Sequence, residues 1–543
     1  MHTPPPGRDA SSAYSQHVAA RIMNFCDLTT PWPRRLWDVG AFLSLEELYE
    51  AGAWVERRVL SQSAVDWQRR ELERLLGDDP ALGTNAYRRG LQECLRSTLT
   101  VAGDGRRKLR HLIDLGRPGY LDRWAACVAG TNPPPPEKAA RFIASHLLDS
   151  GHSMNGLDRW IRDGRLTLSA ADLITEAAAL LTTRPTRWKI LVPFADLHRH
   201  RKRTTGLPHW IGVRETEDLM AAAGAKTTAP IAGALSYEVE ARDVERALEI
   251  VADLVERLQA RARFVSTSLV TPFDLAVVLN QNQAMPLRMP ARGARVLSLA
   301  AERQLYLVGA EPQRLGDRRR SAVDDALELA SALNHGPLAP AVAGGWSALE
   351  SLLTEARDPD ERERVVAASR AAALVTCSWP RAELTALSHR IRRVSGGDLA
   401  ERLDRCGSNR ERAVLVAAEL AAGNSLPLER SWRRRSDIAA ITRMRALLAD
   451  PGHVLGRVRR HVEGSLRRLY RSRNIVLHGG STGGVALQPA LRVTAPLVGA
   501  ALDRLAHADL VAGVPPLVLA SRAETALGML GDDMGRALCD LIE

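Results

Sequence analysis

The chain has no C-x-x-C pair, no apolar core near its start, no long uncharged apolar run and few aromatic residues. Its six cysteines (Cys26, Cys94, Cys127, Cys377, Cys406, Cys539) lie far apart. That spacing suggests neither a zinc ribbon nor a redox pair. The opening MHTPPPGRDASSAYSQH is polar, unlike a signal peptide. No uncharged apolar run reaches the roughly 18 residues a membrane span needs. The expectation is a cytoplasmic protein with reduced thiols. Aromatics make up only 4% of the chain. Alanine, leucine and arginine abound instead, and these residues favour helices.

At 543 residues the chain is too long for one core, and about three domains are expected. The hydrophobic share of 45% and the charged share of 25% are those of a globular protein. The net charge is +11. Such a charge permits a polyanionic partner, although a GC-rich genome gives the same arginine-rich, lysine-poor composition.

Residues 1–185 read as a helical N-terminal domain. LSLEELYEAGAWVERRVL and NAYRRGLQECLRSTLTV carry apolar residues at steps of three and four. Pro133 to Pro136 break the pattern, and a new helix is expected near Glu137. Residues 186–315 read as a small α/β or α+β domain. WKILVPF and ALSYEVE have the β-branched and aromatic content of strands, and DVERALEIVADLVERLQARA follows as a helix. RVLSLA and RQLYLVG are two further strand candidates. This region has neither a G-x-G-x-x-G motif nor a phosphate-loop lysine. Residues 316–543 read as all-helical, with helices expected at 318–334, 340–356, 359–376, 380–394, 409–422, 436–449 and 452–478, and two more within 494–507 and 518–541. The fold class expected is therefore mainly α with a small mixed middle domain.

The stretch RSRNIVLHGGSTGG, residues 471–484, admits two readings. Gly479 to Gly483 fit G-x-S-x-G, with Ser481 as a serine-hydrolase nucleophile. That motif needs a strand before it and an acid and a histidine after it. Upstream, however, the apolar residues from Val454 to Leu477 form one helical stripe with no turn signal. Gly479 suits the left-handed position that ends a helix. Arg473 and His478 then sit together at a helix C-terminus. From 454 to 478 the helix has seven arginines and one acid, Glu463. That is either a solvated basic face or a stripe that tracks phosphates.

Arg473-Asn474, three residues, then His478-Gly-Gly resembles the R-x4-6-H motif of the HEPN superfamily, in the R-N-x-x-x-H-G form of its Apea-like group. GGWSALESLL, Gly344 to Leu353, is similar to the early HEPN helix that carries an aromatic followed by A-L-E. The likeness covers about 320 to 510; residues before 315 resemble nothing recognised.

The resemblance implies a metal-independent endoribonuclease without cofactors, acting as a toxin or in abortive-infection defence. It implies an RNA substrate and a homodimer through the C-terminal helical domain, with two motifs meeting across the interface. Residues 1–315 would sense a trigger or restrain the dimer; the trigger, or an antitoxin, is unidentified. His478 would be the general acid/base and Arg473 the phosphate ligand. Asn474 would orient His478 or cap a carbonyl, and Glu350 would position Arg473. Arg467, Arg468 and Arg471 would contact the RNA backbone. Tyr470 is read as core or interface. The other reading is a non-catalytic helical scaffold that binds RNA or a protein. His146 and His152 are read as structural. The loop His198–Arg203 and the runs Arg318–Arg320 and Arg433–Arg435 are basic segments that either touch phosphate or are simply solvated.

Overall fold

The computed structural model describes residues 8–35, 38–196, 208–265, 270–301, 303, 305, 322–355, 365–391, 398–429, 431 and 433–543. The His198–Arg203 loop, Arg318–Arg320 and nearly all of RQLYLVG lie outside the described residues. The protein is mainly helical with one small sheet. Two compact units are formed, both discontinuous in sequence. The first comprises residues 1–146, 164–176 and 292–543; the second comprises 147–163 and 177–291. The helices expected as separate N- and C-terminal domains thus share one unit.

The first unit is built around helix Val366–Ser388, which is buried on all sides from Ala371 to Pro380. Its alanines let neighbours approach closely. Helices Leu338–Leu353, Asn409–Ala421, Arg434–Ala449, Pro451–Leu477, Leu487–Ala512 and Pro516–Gly528 all pack against it. The sequence suggested two helices here, split before Pro380. The helix instead runs through Pro380, which lies in its interior. Tertiary packing on every side offsets the lost backbone hydrogen bond. The same holds for Pro496 inside Leu487–Ala512.

Buried charges join the N-terminal segment to this bundle. Arg34 donates to Glu383 Oε1 (2.6 Å) and Asp437 Oδ1 (2.7 Å). Arg443 donates to Glu383 Oε2 (2.9 Å) and Glu137 Oε1 (3.2 Å). Arg21 donates to Glu137 Oε2 at 3.0 Å. Burial alone would raise the carboxyl pKa values of Glu137 and Glu383, but the surrounding arginines hold both below the ordinary carboxylate range. Nothing in the local pattern of any one segment announces this network, because its members are hundreds of residues apart.

Asp79 behaves in the opposite way. It is fully buried, and accepts from Tyr120 Oη and from the Ala81 amide. Desolvation dominates and pushes its pKa up to about 6. The folded chain therefore holds this proton more tightly than the unfolded chain. The Asp79 contribution to stability is fully present below about pH 4 and is lost as pH rises through 6, by about 3 kcal/mol in all. Asp79→Asn should remove that slope, so the variant gains on the parent between about pH 4 and 7. Parallel denaturation profiles at the two pH values would refute the assignment. His146 is also structural in placement, edge-on to Phe42 with ring centroids 5.7 Å apart.

The second unit holds an antiparallel sheet in the order β2-β3-β1-β5-β6, with β4 also on β1. The strands are β1 Thr186–Asp196, β2 Trp210–Ile211, β3 Gly233–Ala241, β4 Thr271–Pro272, β5 Leu275–Val278 and β6 Gln283–Pro286. All pairings are antiparallel, which makes the region α+β. β1 and β3 pair from Thr186↔Ala241 to Phe194↔Gly233. Ile190, Val192 and Phe194 pack with helix Val244–Val265 on one face; Leu191 packs with Met220 on the other. His152 Nδ1 lies 3.4 Å from Asp243 within this unit. RVLSLA is not a strand: it belongs to the first unit, where Ser298–Ala301 form one helical turn against Leu487–Ala512. Its β-branched content is too slight to outweigh that contact.

Among the described residues no single helix is long and apolar enough to cross a membrane.

Candidate active site

Residues 451–477 form one continuous helix, so no strand precedes the G-x-S-x-G segment. The elbow geometry that would expose Ser481 as a nucleophile is absent. Pro451 sits in the first turn, and the Asp450 side chain caps the His453 amide. At the other end the His478 and Gly479 amides both donate to the Asn474 carbonyl, at 2.9 and 3.3 Å. The left-handed residue is Gly480, with φ +62°, rather than Gly479. Gly479 meets a different constraint: a Cβ there would lie 2.8 Å from the Trp54 ring and 2.6 Å from the Ile475 carbonyl.

This ending places Arg473, Asn474 and His478 in contact. Arg473 Nη1 donates to Asn474 Oδ1 at 3.0 Å and to His478 Nε2 at 3.1 Å. A guanidinium has no acceptor, so Nε2 takes the lone-pair role and the imidazole proton lies on Nδ1. His478 is exposed, Arg473 half-buried and Asn474 buried. Arg473 Nε is buried without a hydrogen-bond partner.

Helix Leu338–Leu353 supplies the fourth member. Trp346 and Glu350 are one turn apart, as are Tyr470 and Arg473, so each pair shares a helix face. Trp346 packs on Tyr470 with ring centroids 4.9 Å apart. That contact sets the register of the two helices. It brings Glu350 Oε2 to 3.7 Å from Arg473 Nη2. Tyr470 is therefore core, not an open stacking platform.

The three arginines expected to track RNA are placed differently. Arg468 is 7% exposed and donates to Glu47 Oε2 at 2.7 Å. Arg471 is also buried, 3.8 Å from Glu47, and burial pushes its pKa down to about 10. Arg467 is bound to Glu463 at 2.7 Å and lies 4.5 Å over the Trp67 ring. Arg468 and Arg471 are structural cations whose carboxylate partner comes from helix Ala41–Glu56. No signal in LSLEELYE marks Glu47 as that partner. Arg468→Ala should lower unfolding free energy by about 3 kcal/mol, because Glu47 keeps only the longer pair. Chemical denaturation measures this, and RNA affinity per folded molecule should not change. Arg433 and Arg435 are likewise engaged, donating to Thr29 Oγ1 (2.7 Å) and the Leu166 carbonyl (2.8 Å).

Four of the seven candidate residues thus converge and three do not. A cavity of about 780 Å³ lies elsewhere than at Arg473. It opens along the opposite face of the same helix, past Arg457, His461, Gly464 and Arg468. Arg473 lies about 180° around the axis from Gly464, given 100° per residue. No group of three or more His, Cys, Asp or Glu is placed to hold a metal ion among the described residues. Comparison with known protein families, with curated proteins and with solved structures finds no match for this chain.

Proposed function

We propose that the protein is a metal-independent endoribonuclease of the HEPN type, acting in the cytoplasm as a toxin or in antiviral defence. The observation that carries this reading is the 3.1 Å contact between Arg473 Nη1 and His478 Nε2 at an exposed helix end. RNA brings its own nucleophile. When a bound phosphate draws Arg473 away from His478 Nε2, the lone pair released there can take the proton from the 2′-hydroxyl. The ribose oxygen then attacks phosphorus and the bond to the 5′-oxygen breaks. That oxygen takes up a proton, leaving a 2′,3′-cyclic phosphate and a 5′-hydroxyl. Arg473 stabilises the charge that develops on the phosphoryl oxygens. Glu350 and Asn474 are positioning residues that fix the guanidinium. In a homodimer, as the resemblance implies, a second copy of the pair supplies the proton donor.

The test is cleavage of a single-stranded oligoribonucleotide by the purified full chain in the presence of a chelator. Cleavage giving cyclic-phosphate ends, blocked by a 2′-deoxy substitution at the cut, supports the reading. Absence of cleavage at every pH between about 5 and 9, across the range where a histidine changes charge, leaves the scaffold reading.

A further inference from the structure

Away from the Arg473–His478 pair, the first unit holds a cavity of about 780 Å³. That lies within the range of about 300–1,000 Å³ common for small-molecule sites. It is walled by helices Gln62–Asp78, Pro136–Asp149 and Pro451–Leu477. Seven Lys and Arg side chains line it against four Asp and Glu. Most of the acids are already committed. Glu71 is paired with Arg74, and Glu47 and Asp38 hold Arg468. Lys138, Arg457 and Arg460 have no ion pair among the described residues.

Their charge is felt by their neighbours. Burial lowers the Arg74 pKa, and Arg460 lowers it further. Burial lowers the His461 pKa, with Arg141 and Arg457 pressing the same way. Converging like charges of this kind cost stability unless an anion relieves them.

A second observation is independent of charge. Gln68 is only 5% exposed and lines the cavity, yet neither Nε2 nor Oε1 has a hydrogen-bond partner. A buried amide left unsatisfied at both atoms is costly, about 1–3 kcal/mol per group. It presents a donor and an acceptor side by side. Trp67 and Phe142 add flat apolar wall.

We propose that this cavity binds a nucleotide. Lys138, Arg457 and Arg460 match its phosphates, and the Gln68 amide matches the donor–acceptor edge of its base. No activity of the Arg473–His478 pair is needed for this binding, so the two proposals stand or fall separately.

The experiment is isothermal titration calorimetry of the full chain with ATP, GTP, CTP and UTP, with inorganic tripolyphosphate and with a short single-stranded oligoribonucleotide. At least one nucleotide should bind in the micromolar range. Arg457 and Arg460 are exposed, so Arg457→Glu with Arg460→Glu should leave the melting temperature unchanged and weaken nucleotide and tripolyphosphate by tenfold or more, about 1.4 kcal/mol per tenfold. Gln68→Leu should weaken the nucleotide and leave tripolyphosphate unaffected. Failure of every nucleotide to bind below about 1 mM overturns the proposal, as does equal affinity for tripolyphosphate. Binding of the oligoribonucleotide alone, lost in the charge-reversed variant, also overturns it and assigns the surface to RNA.

Discussion

Arg473→Ala and His478→Ala are each expected to lower RNA cleavage by about 10²–10⁴-fold. His478 is the exposed member of the cluster, and its imidazole has the nitrogen lone pair that can take a proton. Its removal leaves phosphate binding intact and takes away the proton path. Arg473 contributes a fork that can hold two phosphoryl oxygens. Arg473→Lys keeps the charge and loses the fork, so it should recover only part of the rate. Glu350→Gln should fall between these variants and the parent, because Glu350 only holds the guanidinium, at 3.7 Å. None of these changes touches the core, so melting temperatures should stay within a few degrees. The double variant should lose little beyond either single one, since both groups serve one step. Cleavage that persists undiminished in His478→Ala would falsify the ribonuclease reading. Loss of cleavage together with loss of folding would instead call for the milder His478→Gln, read by the same assay.

The second large effect concerns stability. Glu383→Gln is expected to destabilise the first unit by about 3–5 kcal/mol. Glu383 is 0% exposed and receives Arg34 and Arg443 from opposite ends of the sequence. Neutralising it leaves two buried guanidinium groups sharing Asp437 and Glu137. Because its folded pKa is held below the ordinary value, Glu383 stabilises the fold above that value. That contribution is lost as pH falls through the depressed pKa. The parent should therefore approach the variant in stability under acid conditions. Denaturation at neutral and acid pH measures both effects. A variant as stable as the parent at pH 7 would show that the network merely accommodates its charges.

The two kinds of information divide along a physical line. Helix identity was legible wherever the apolar period was long: Asn85–Arg96, Val244–Val265 and Pro451–Leu477 all follow the three-and-four spacing. So were β1 and β3, from their β-branched and aromatic residues. Boundaries were less legible. The prolines at 380 and 496 lie inside helices because packing, not propensity, decides there.

At the site, the sequence determined which side chains could meet within one helix end. Arg473, Asn474 and His478 are five residues apart at most, and their contact depends on local geometry that Gly479 and Gly480 allow. Nothing in the sequence paired Trp346 with Tyr470; the helix register made that contact, and it delivers Glu350. Only the tertiary structure decided which arginines are free. Arg468 and Arg471 look the same in sequence as Arg457 and Arg460. The first two meet Glu47 across more than 400 residues of chain, while the second two meet no acid among the described residues. Charge in a sequence is a sum over neighbours along the chain. Charge in a fold is settled by partners in space, and no local period encodes them.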